Sequence, residues 1–485
     1  MLVMALDVGT SSARARCCDA AGNPVPGAEG QVAYEAAITP AGAVELDPAG
    51  LVDAVAGAID ACLAGAGARA RDIGGVGASV FWHSLLALDA DDRPLTRVIT
   101  WADTRSAGAA RTLNEQLDAR AVHVRTGAPI HSTFWPAKLS WLRQEKPDVF
   151  RRARTWCGFA EYLGMVLTGR LRSSLSMASG TGLLDQDAQQ WDREMMAATG
   201  VTAERLPAID ETAQPGLSAR FAARWPALAA VPWLPGWGDG ACSNLGSDCA
   251  GPDRVALNVG TSAAIRLVTT APVPPPPGLW RYRVDSRRRL VGGATSEGGN
   301  VLAWCRRTLA LPAGDGDLDR ALSAVPADGH GLTALPFLAG ERSPGWRGDA
   351  RGAIAGLSLA SGPAEIARAL LESVACRLAL VYDRLAPCAA PGHAVIASGG
   401  AFRHLPSWAG IMADALGVPI ILAEEVEASS RGAALLALEA LGAPAPPRAP
   451  MGPVVEPDAA RHQRYRAAGD RQGLLYESVV PPRAS

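Results

Sequence analysis

Asp7 stands two residues ahead of a Gly9-Thr10-Ser11 turn, and Asp239 stands between Gly238 and Gly240. A carboxylate set on glycine-rich backbone can project into a cleft, where it can hold a hydrated cation. The stretch Ala5-Leu6-Asp7-Val8-Gly9-Thr10-Ser11-Ser12-Ala13-Arg14-Ala15 returns ungapped as Ala256-Leu257-Asn258-Val259-Gly260-Thr261-Ser262-Ala263-Ala264-Ile265-Arg266. Seven of eleven positions are identical, which points to two halves built on one plan. Glycine lets backbone approach a ligand, and turn amides with Thr and Ser hydroxyls supply donors that suit phosphate oxygens. The copies differ at the charged position: Asp7 can hold a hydrated cation, whereas Asn258 carries no charge. Asp239 alone reads as an ordinary Gly-Asp-Gly turn; directly ahead of the second copy, it can face the same cleft as Asp7.

Two polar-aromatic insertions, Ser79–Ser84 and Thr100–Arg105, lie at strand ends, where α/β sheets bind ligands. The faces of Trp82 and Trp101 suit the apolar face of a polyol, and His83, Asp103 and Arg105 suit its hydroxyls. A second reading pairs Asp103 with Arg105 and places the tryptophans in the core. Lys138 is one of only two lysines against 44 arginines, which suggests a geometric need at that position. Gly399-Gly400 follows a short apolar strand and lets a flat ring or a phosphate approach the backbone.

The elements that must position these residues alternate as in an α/β protein. Each repeated stretch predicts strand, turn and strand, the second strands covering Arg14–Cys18 and Ile265–Val268. Asp19–Pro26 reads as a turn-rich loop, and Asp47-Pro48 as an N-cap followed by a proline at the first helical position. Leu51, Val55, Ile59 and Leu63 carry that helix to the Gly65–Gly67 region. Ile73–Ser79 reads as a buried strand, Ser173–Gly182 as a small-residue loop, and Ala271–Gly278 as a proline-rich loop. A helix is expected from Pro363 to about Leu378, a strand at Pro419–Leu422 and a helix at Ala428–Leu441. The proline-rich tail after Ala449 is expected to wrap the surface.

At 485 residues the chain should form more than one domain. A net charge of −2 provides no basic field for nucleic acid and no polybasic membrane patch. The N-terminus does not read as a signal peptide, and proline-broken apolar runs such as Trp225–Gly238 are too short to span a bilayer. Nine cysteines without CxxC spacing argue against a disulfide framework or a zinc site. A cytoplasmic protein is expected. The first strand is not followed by GxGxxG, which sets aside a Rossmann dehydrogenase.

Taken together, the paired hairpins, the aspartate ahead of the second and the late Gly-Gly turn resemble the sugar-kinase, actin and Hsp70 superfamily. Within it the chain resembles the FGGY carbohydrate kinases over its full length. Gly352-Ala353-Ile354-Ala355-Gly356-Leu357, running into Glu365-Ile366 and Ala369-Leu370-Leu371-Glu372, is similar to the family's C-terminal signature. The stretches His83–Asp89, Ile99–Ser106, Thr126–His131 and Ser176–Gly182 most resemble gluconate kinases. The chain departs from them at Phe81-Trp82, where Ala-Met is usual, and at Ser132–Trp135, where Pro-Met-Ser-Pro is usual.

The resemblance implies two ribonuclease-H-like (actin-like ATPase) α/β domains from an internal duplication, residues 1–244 for the sugar and 245–485 for the nucleotide, with a cleft between. It implies ATP and Mg²⁺, with Asp239 as catalytic base and Asp7, together with Asp239, at the metal. Gly9, Thr10, Ser11, Gly260, Thr261 and Ser262 would meet the phosphates, with Arg14 adding charge and Gly399 and Gly400 beside the adenosine. Trp82, His83, Trp101, Asp103, Arg105 and Lys138 would hold the acceptor. A sugar acid such as D-gluconate would need a cation for its carboxylate, with Arg105, Lys138 and Arg342 as candidates. A ketopentose such as xylulose or ribulose, or a smaller polyol, is the alternative acceptor. A binding module without catalysis is the non-enzymatic alternative, and a homodimer is left open.

Overall fold

The computed structural model describes residues 1–424, 427–448 and 451–480. Each half of the chain builds a mixed sheet around its copy of the repeat. In the first, β1 (Leu2–Val8) pairs antiparallel with β2 (Ser12–Cys18), which pairs antiparallel with β3 (Pro24–Ala33). On its other side β1 runs parallel to β4 (Ile73–Val80), and β4 parallel to β5 (Trp237–Gly238). The second sheet repeats this: β6 (Arg254–Val259) is antiparallel to β7 (Ala263–Thr269). Next to β7, and antiparallel to it, comes β9 (Arg289–Thr295), with β8 (Trp280–Arg283) at the edge. Parallel to β6 run β10 (Ala394–Ser398) and then β11 (Ile420–Ala423). The five strands centred on each repeat therefore share one order and one set of directions, as an internal duplication requires, and the second sheet adds one strand at each edge.

Helices cover both sheets. The helix α1 (Pro48–Ala66) starts where expected, with the Asp47 side chain accepting from the Gly50 amide at 2.7 Å. Pro48–Asp72 is the one stretch among the described residues long and apolar enough to cross a bilayer. Its Leu51, Val55 and Ile59 are instead buried in the core against the first sheet. A subsidiary apolar cluster joins Leu85 and Ile99 to Leu139 of helix α2 (Trp135–Glu145) and supports the Thr100–Arg105 loop.

In four places the structure departs from the sequence reading. The Asp19–Pro26 loop ends early, because β3 starts at Pro24. An edge strand accepts prolines, since one row of its amides needs no partner. Ser173–Gly182 contains a helical turn, Leu175–Ser179, capped by Ser174 Oγ accepting from Met177 N at 3.0 Å. The helix from Pro363, here α5 (Pro363–Leu385), runs seven residues past the expected end. The tail does not simply wrap the surface. Past residues 449–450, which lie outside the described residues, β12 (Met451–Val455) joins β11, and α7 (Ala459–Val479) follows. Pro453 sits in that edge strand, and Asp458 caps α7 by accepting from Arg461 N at 2.8 Å.

The halves are interlocked. Helix α6 (Ala428–Ala440) belongs to the second half by sequence, yet Leu436 and Leu438 are buried in the core of the first sheet. It crosses α3 (Asp239–Gly246) at contact distance: a Cβ on Gly432 would lie 1.8 Å from Cys242 O, and one on Gly246 1.7 Å from Ala428 O. The edge strand β8 is held by the first half through Arg281 N to Gly127 O (2.8 Å) and Arg283 N to Ser179 Oγ (2.9 Å).

Candidate active site

The two repeated turns face one another across a cleft of about 780 Å³. Gly9 N donates to Ser12 O at 3.0 Å and Gly260 N to Ser262 O at 2.9 Å, which closes each turn. Gly9, Thr10, Ser11, Gly260, Thr261 and Ser262 all line the cleft, with Asp7 and Arg14 beside the first turn. Thr10, Ser11, Thr261 and Ser262 therefore present amides and hydroxyls to a common space, an arrangement that suits a polyphosphate. The second turn is anchored by α4 (Gly299–Thr308), whose Gly299 N donates to Gly260 O at 2.7 Å and Asn300 N to Thr261 O at 3.1 Å.

Asp7 lies at the end of β1 opposite Arg14 of β2. Arg14 Nη1 sits 3.6 Å from Asp7 and 3.1 Å from Glu427, so one guanidinium serves two carboxylates. Burial pushes the Asp7 carboxyl up to about 6; Arg14 opposes this, while Asp239 and Glu427 add to it. The donor set fits a divalent cation: Asp7, Asp239, Glu341 and Glu427 line the cleft, and one arginine is shared between Asp7 and Glu427.

Asp239 is the first residue of α3, not the middle of a turn, and the helix N-terminus favours its negative charge. Burial raises its carboxyl above the ordinary range, and Arg266 on β7 is the strongest opposing influence. Trp82 is wedged beneath it among three glycines. A Cβ on Gly238 would lie 1.8 Å from Trp82 Cε2, one on Gly180 2.4 Å from Cδ1, and one on Gly240 2.8 Å from Cζ3. Its Nε1 donates to Ser176 O at 2.9 Å, so the indole is fixed as a wall.

His83 lines the cleft in a left-handed backbone conformation (φ 66°), which an L side chain adopts only when its surroundings impose it. Its Nδ1 donates to Gly180 O at 2.5 Å, and burial drives its pKa well down. The ring is therefore neutral, and Nε2 is left as an acceptor. Trp101 lines the same wall.

Asp103, Arg105 and Lys138, expected from the sequence at the acceptor, do not line the cleft. Asp103 is 2% exposed, takes Val44 N at 3.1 Å and pairs with Arg105 Nη2 at 2.7 Å. Arg105 also bonds Glu45 and lies 4.5 Å from the Trp141 ring centroid. The pair fastens the loop that presents Trp101. Lys138 is 1% exposed, and its Nζ donates to His83 O at 2.6 Å; burial lowers it to about 7. This lysine holds the histidine's unusual backbone.

A side space of about 620 Å³ opens from the second turn and is bounded by Gly400, Asn300, Arg307 and His404. Gly400 faces it, whereas Gly399 (φ 118°) supports from behind: a Cβ there would lie 2.2 Å from Val259 O. Residues that the sequence reading did not assign to the site also line the cleft: Arg266, Trp280, Tyr282 and Glu427. The signal for Arg266 was a lone arginine in the apolar run Ala263–Val268; for Trp280 and Tyr282 it was alternation with Arg281 and Arg283 in β8. Arg342 lines the cleft as well, so of the three candidate cations only it is placed to meet a ligand.

Residues 2–246 match the N-terminal domain of the FGGY family of carbohydrate kinases, and residues 255–441 match its C-terminal domain. A gluconokinase of Bacillus subtilis is 32% identical over 373 residues, covering 74% of this chain and 73% of that one. The crystal structure of a gluconate kinase from Lactobacillus acidophilus superposes with a TM-score of 0.90 at 28% identity, covering 100% of this chain and 98% of that one. A ligand-bound xylulose kinase from the same organism also gives 0.90 at 28% identity, with 99% of each chain covered.

Proposed function

The chain belongs to the FGGY family of carbohydrate kinases and is an ATP-dependent phosphotransferase; we propose that its acceptor is a sugar acid, D-gluconate, phosphorylated on a primary hydroxyl. The single observation that carries the catalytic part is Asp239. It stands at a helix N-terminus and lines the same cleft as the two phosphate-type turns, Trp82 and His83.

In this reading Asp239 accepts the proton of the attacking hydroxyl. The hydroxyl oxygen bonds to the γ-phosphorus, and the bond to the β–γ bridging oxygen breaks, releasing ADP. Mg²⁺, held by Asp7 and Asp239, would neutralise charge on the transferred phosphoryl group. The Thr10, Ser11, Gly260 and Thr261 turns orient the phosphates, with Arg14 balancing Asp7. The side space beside Gly400 takes the adenosine. Residues 1–244 supply most of the acceptor wall, with His83 Nε2 accepting a hydrogen bond from a hydroxyl and Trp82 and Trp101 covering the carbon chain, and Arg342 reaches that wall from the second half. Closure of the halves excludes water and suppresses ATP hydrolysis. The whole operates in the cytoplasm.

Support for gluconate comes from the gluconokinase likeness and from an arginine, Arg342, on the acceptor wall. A ketopentose acceptor is the second reading, favoured by the equal superposition of a xylulose kinase. ADP release with Mg-ATP against gluconate, xylulose, ribulose and glycerol separates the two. The expected result is the highest kcat/KM with gluconate, and a loss of about 10²–10⁴-fold in kcat for Asp239→Asn. Turnover confined to neutral acceptors would replace gluconate, and an undiminished Asp239→Asn enzyme would remove the base assignment.

A further inference from the structure

Three guanidiniums reach the cleft, and their partners differ. Arg14 is engaged by Asp7 and Glu427. Among the described residues, the side chains of Arg266 and Arg342 make neither an ion pair nor a hydrogen bond, and the buried Nε of Arg342 has no acceptor. The carboxylates around Arg342 do not answer this. Its neighbour Glu341 is taken by Arg377, by Tyr476 Oη at 2.6 Å and by Gly345 N at 3.1 Å. Burial pushes Glu297 up to about 8, so it is largely protonated at neutral pH. Asp239 faces both arginines without pairing with either.

Arg342 is also held still. Its guanidinium lies 5.2 Å from the Trp101 ring centroid, an aromatic support that orients the planar fork without using a donor. Nearby, Tyr282 presents a buried hydroxyl that also lacks a partner. Its ring is stacked on Trp280 (centroids 4.4 Å, interplanar 4°) and stands 5.6 Å from that of His83. Arg342 lies against Trp101 and lines the cleft together with His83 and Tyr282, the acceptor wall of this reading. A half-buried guanidinium whose Nε is buried without an acceptor, and a buried hydroxyl left unpaired, are costly unless a ligand completes them.

We propose that Arg342, seated on Trp101 and assisted by the Tyr282 hydroxyl, binds the carboxylate of the acceptor and selects sugar acids over neutral sugars and polyols. This rests on the sugar-acid reading above. A forked guanidinium on a carboxylate gives two charge-assisted bonds, and no hydroxyl can replace that charge.

The test compares D-gluconate with D-glucitol, which carries CH₂OH in place of the carboxylate, for wild type, Arg342→Met and Arg342→Lys. Wild-type turnover of gluconate is read first; if only neutral acceptors react, the sugar-acid reading fails by itself, before any variant is considered. With that turnover present, Arg342→Met should raise KM for gluconate about 10–100-fold, the range for losing a hydrogen bond to a charged group. KM for Mg-ATP and the inhibition constant of glucitol should stay within about threefold, a shift of well under 1 kcal/mol. Arg342→Lys should recover part of the loss, because it keeps the charge without the fork. Equal weakening of gluconate and glucitol, or a raised KM for Mg-ATP with gluconate unaffected, would overturn the proposal and assign Arg342 to wall packing or to the phosphates. If Arg342→Met melts early, the lysine variant and the glucitol constant carry the same comparison.

Discussion

A buried carboxylate works as a base only if something keeps it ionised, and next to Asp239 that is Arg266. Burial raises the Asp239 carboxyl, and Arg266 is the largest influence bringing it back down. Removing that cation as Arg266→Met takes away the largest influence opposing burial, so Asp239 holds its proton to higher pH. A base that must be unprotonated then loses activity at the acid side, and the acid limb of kcat/KM should move upward by about one pH unit, the low end of a nearby-charge effect. Burial pushes the Asp7 carboxyl up to about 6 and the charge of Asp239 adds to this, so the limb reports the pair and not a single group. A pH profile from 5 to 9 on gluconate checks this. An unmoved limb with only a raised KM would make Arg266 a ligand-binding residue instead of one that tunes the base. The same scale shows what could be read from residue types alone. Asp7, Asp239 and the glycine turns were visible because repetition marked them. Asp103, Arg105 and Lys138 have the right chemistry for a ligand but spend it inside the protein, on Val44, Glu45 and His83. No feature of the sequence distinguishes a polar side chain facing a cleft from one bracing the loop behind it.

Elements set the shape of the acceptor wall, and the junction of β5 with α3 is the tightest point. Gly238 ends the strand, Asp239 begins the helix, and the Trp82 indole fills the space a side chain at 238 would need. Gly238→Ala places a Cβ 1.8 Å from Trp82 Cε2, so either the tryptophan or the strand end must shift. Overpacking of this kind costs about 1–3 kcal/mol of stability. The indole should be driven toward the acceptor while the phosphate turns stay in place. The expected outcome is a kcat/KM for gluconate lower by about tenfold or more, in keeping with the sensitivity of catalysis to ångström misplacement, and nucleotide protection in thermal shift that is little altered. Loss of nucleotide protection as well would mean the junction organises the whole cleft. Element boundaries were legible where capping chemistry marks them, as at Asp47-Pro48, and obscure where the determinant lies across the fold. β3, β12 and α7 are polar or proline-bearing, and they exist because a neighbouring edge or core accepts them. That neighbour is remote in sequence.

At the scale of the whole molecule, the duplication suggests two separable units, and the packing argues against it. The first sheet and its helices come from residues 1–244, except that one layer over β1 and β4 is α6, drawn from residues 428–440. Five of its side chains, Ala433, Ala434, Leu436, Ala437 and Leu438, are buried in that first core. Exposing the two leucines alone forfeits about 3–6 kcal/mol at roughly 1.5–3 kcal/mol for each fully buried side chain. A domain's entire stability is about 5–15 kcal/mol. The crossing of α6 with α3 has no slack either, since Gly432 and Gly246 lie within touching distance of the opposing backbone. A fragment of residues 1–244 should therefore be insoluble, or compact without cooperative melting, and the full chain should unfold in a single calorimetric transition near the scan where both halves report together. Two resolved transitions, or a 1–244 fragment with a sharp melt of its own, would show that the first core closes without α6. In that case α6 would be a detachable clasp, and the halves would be free to hinge about β8 alone.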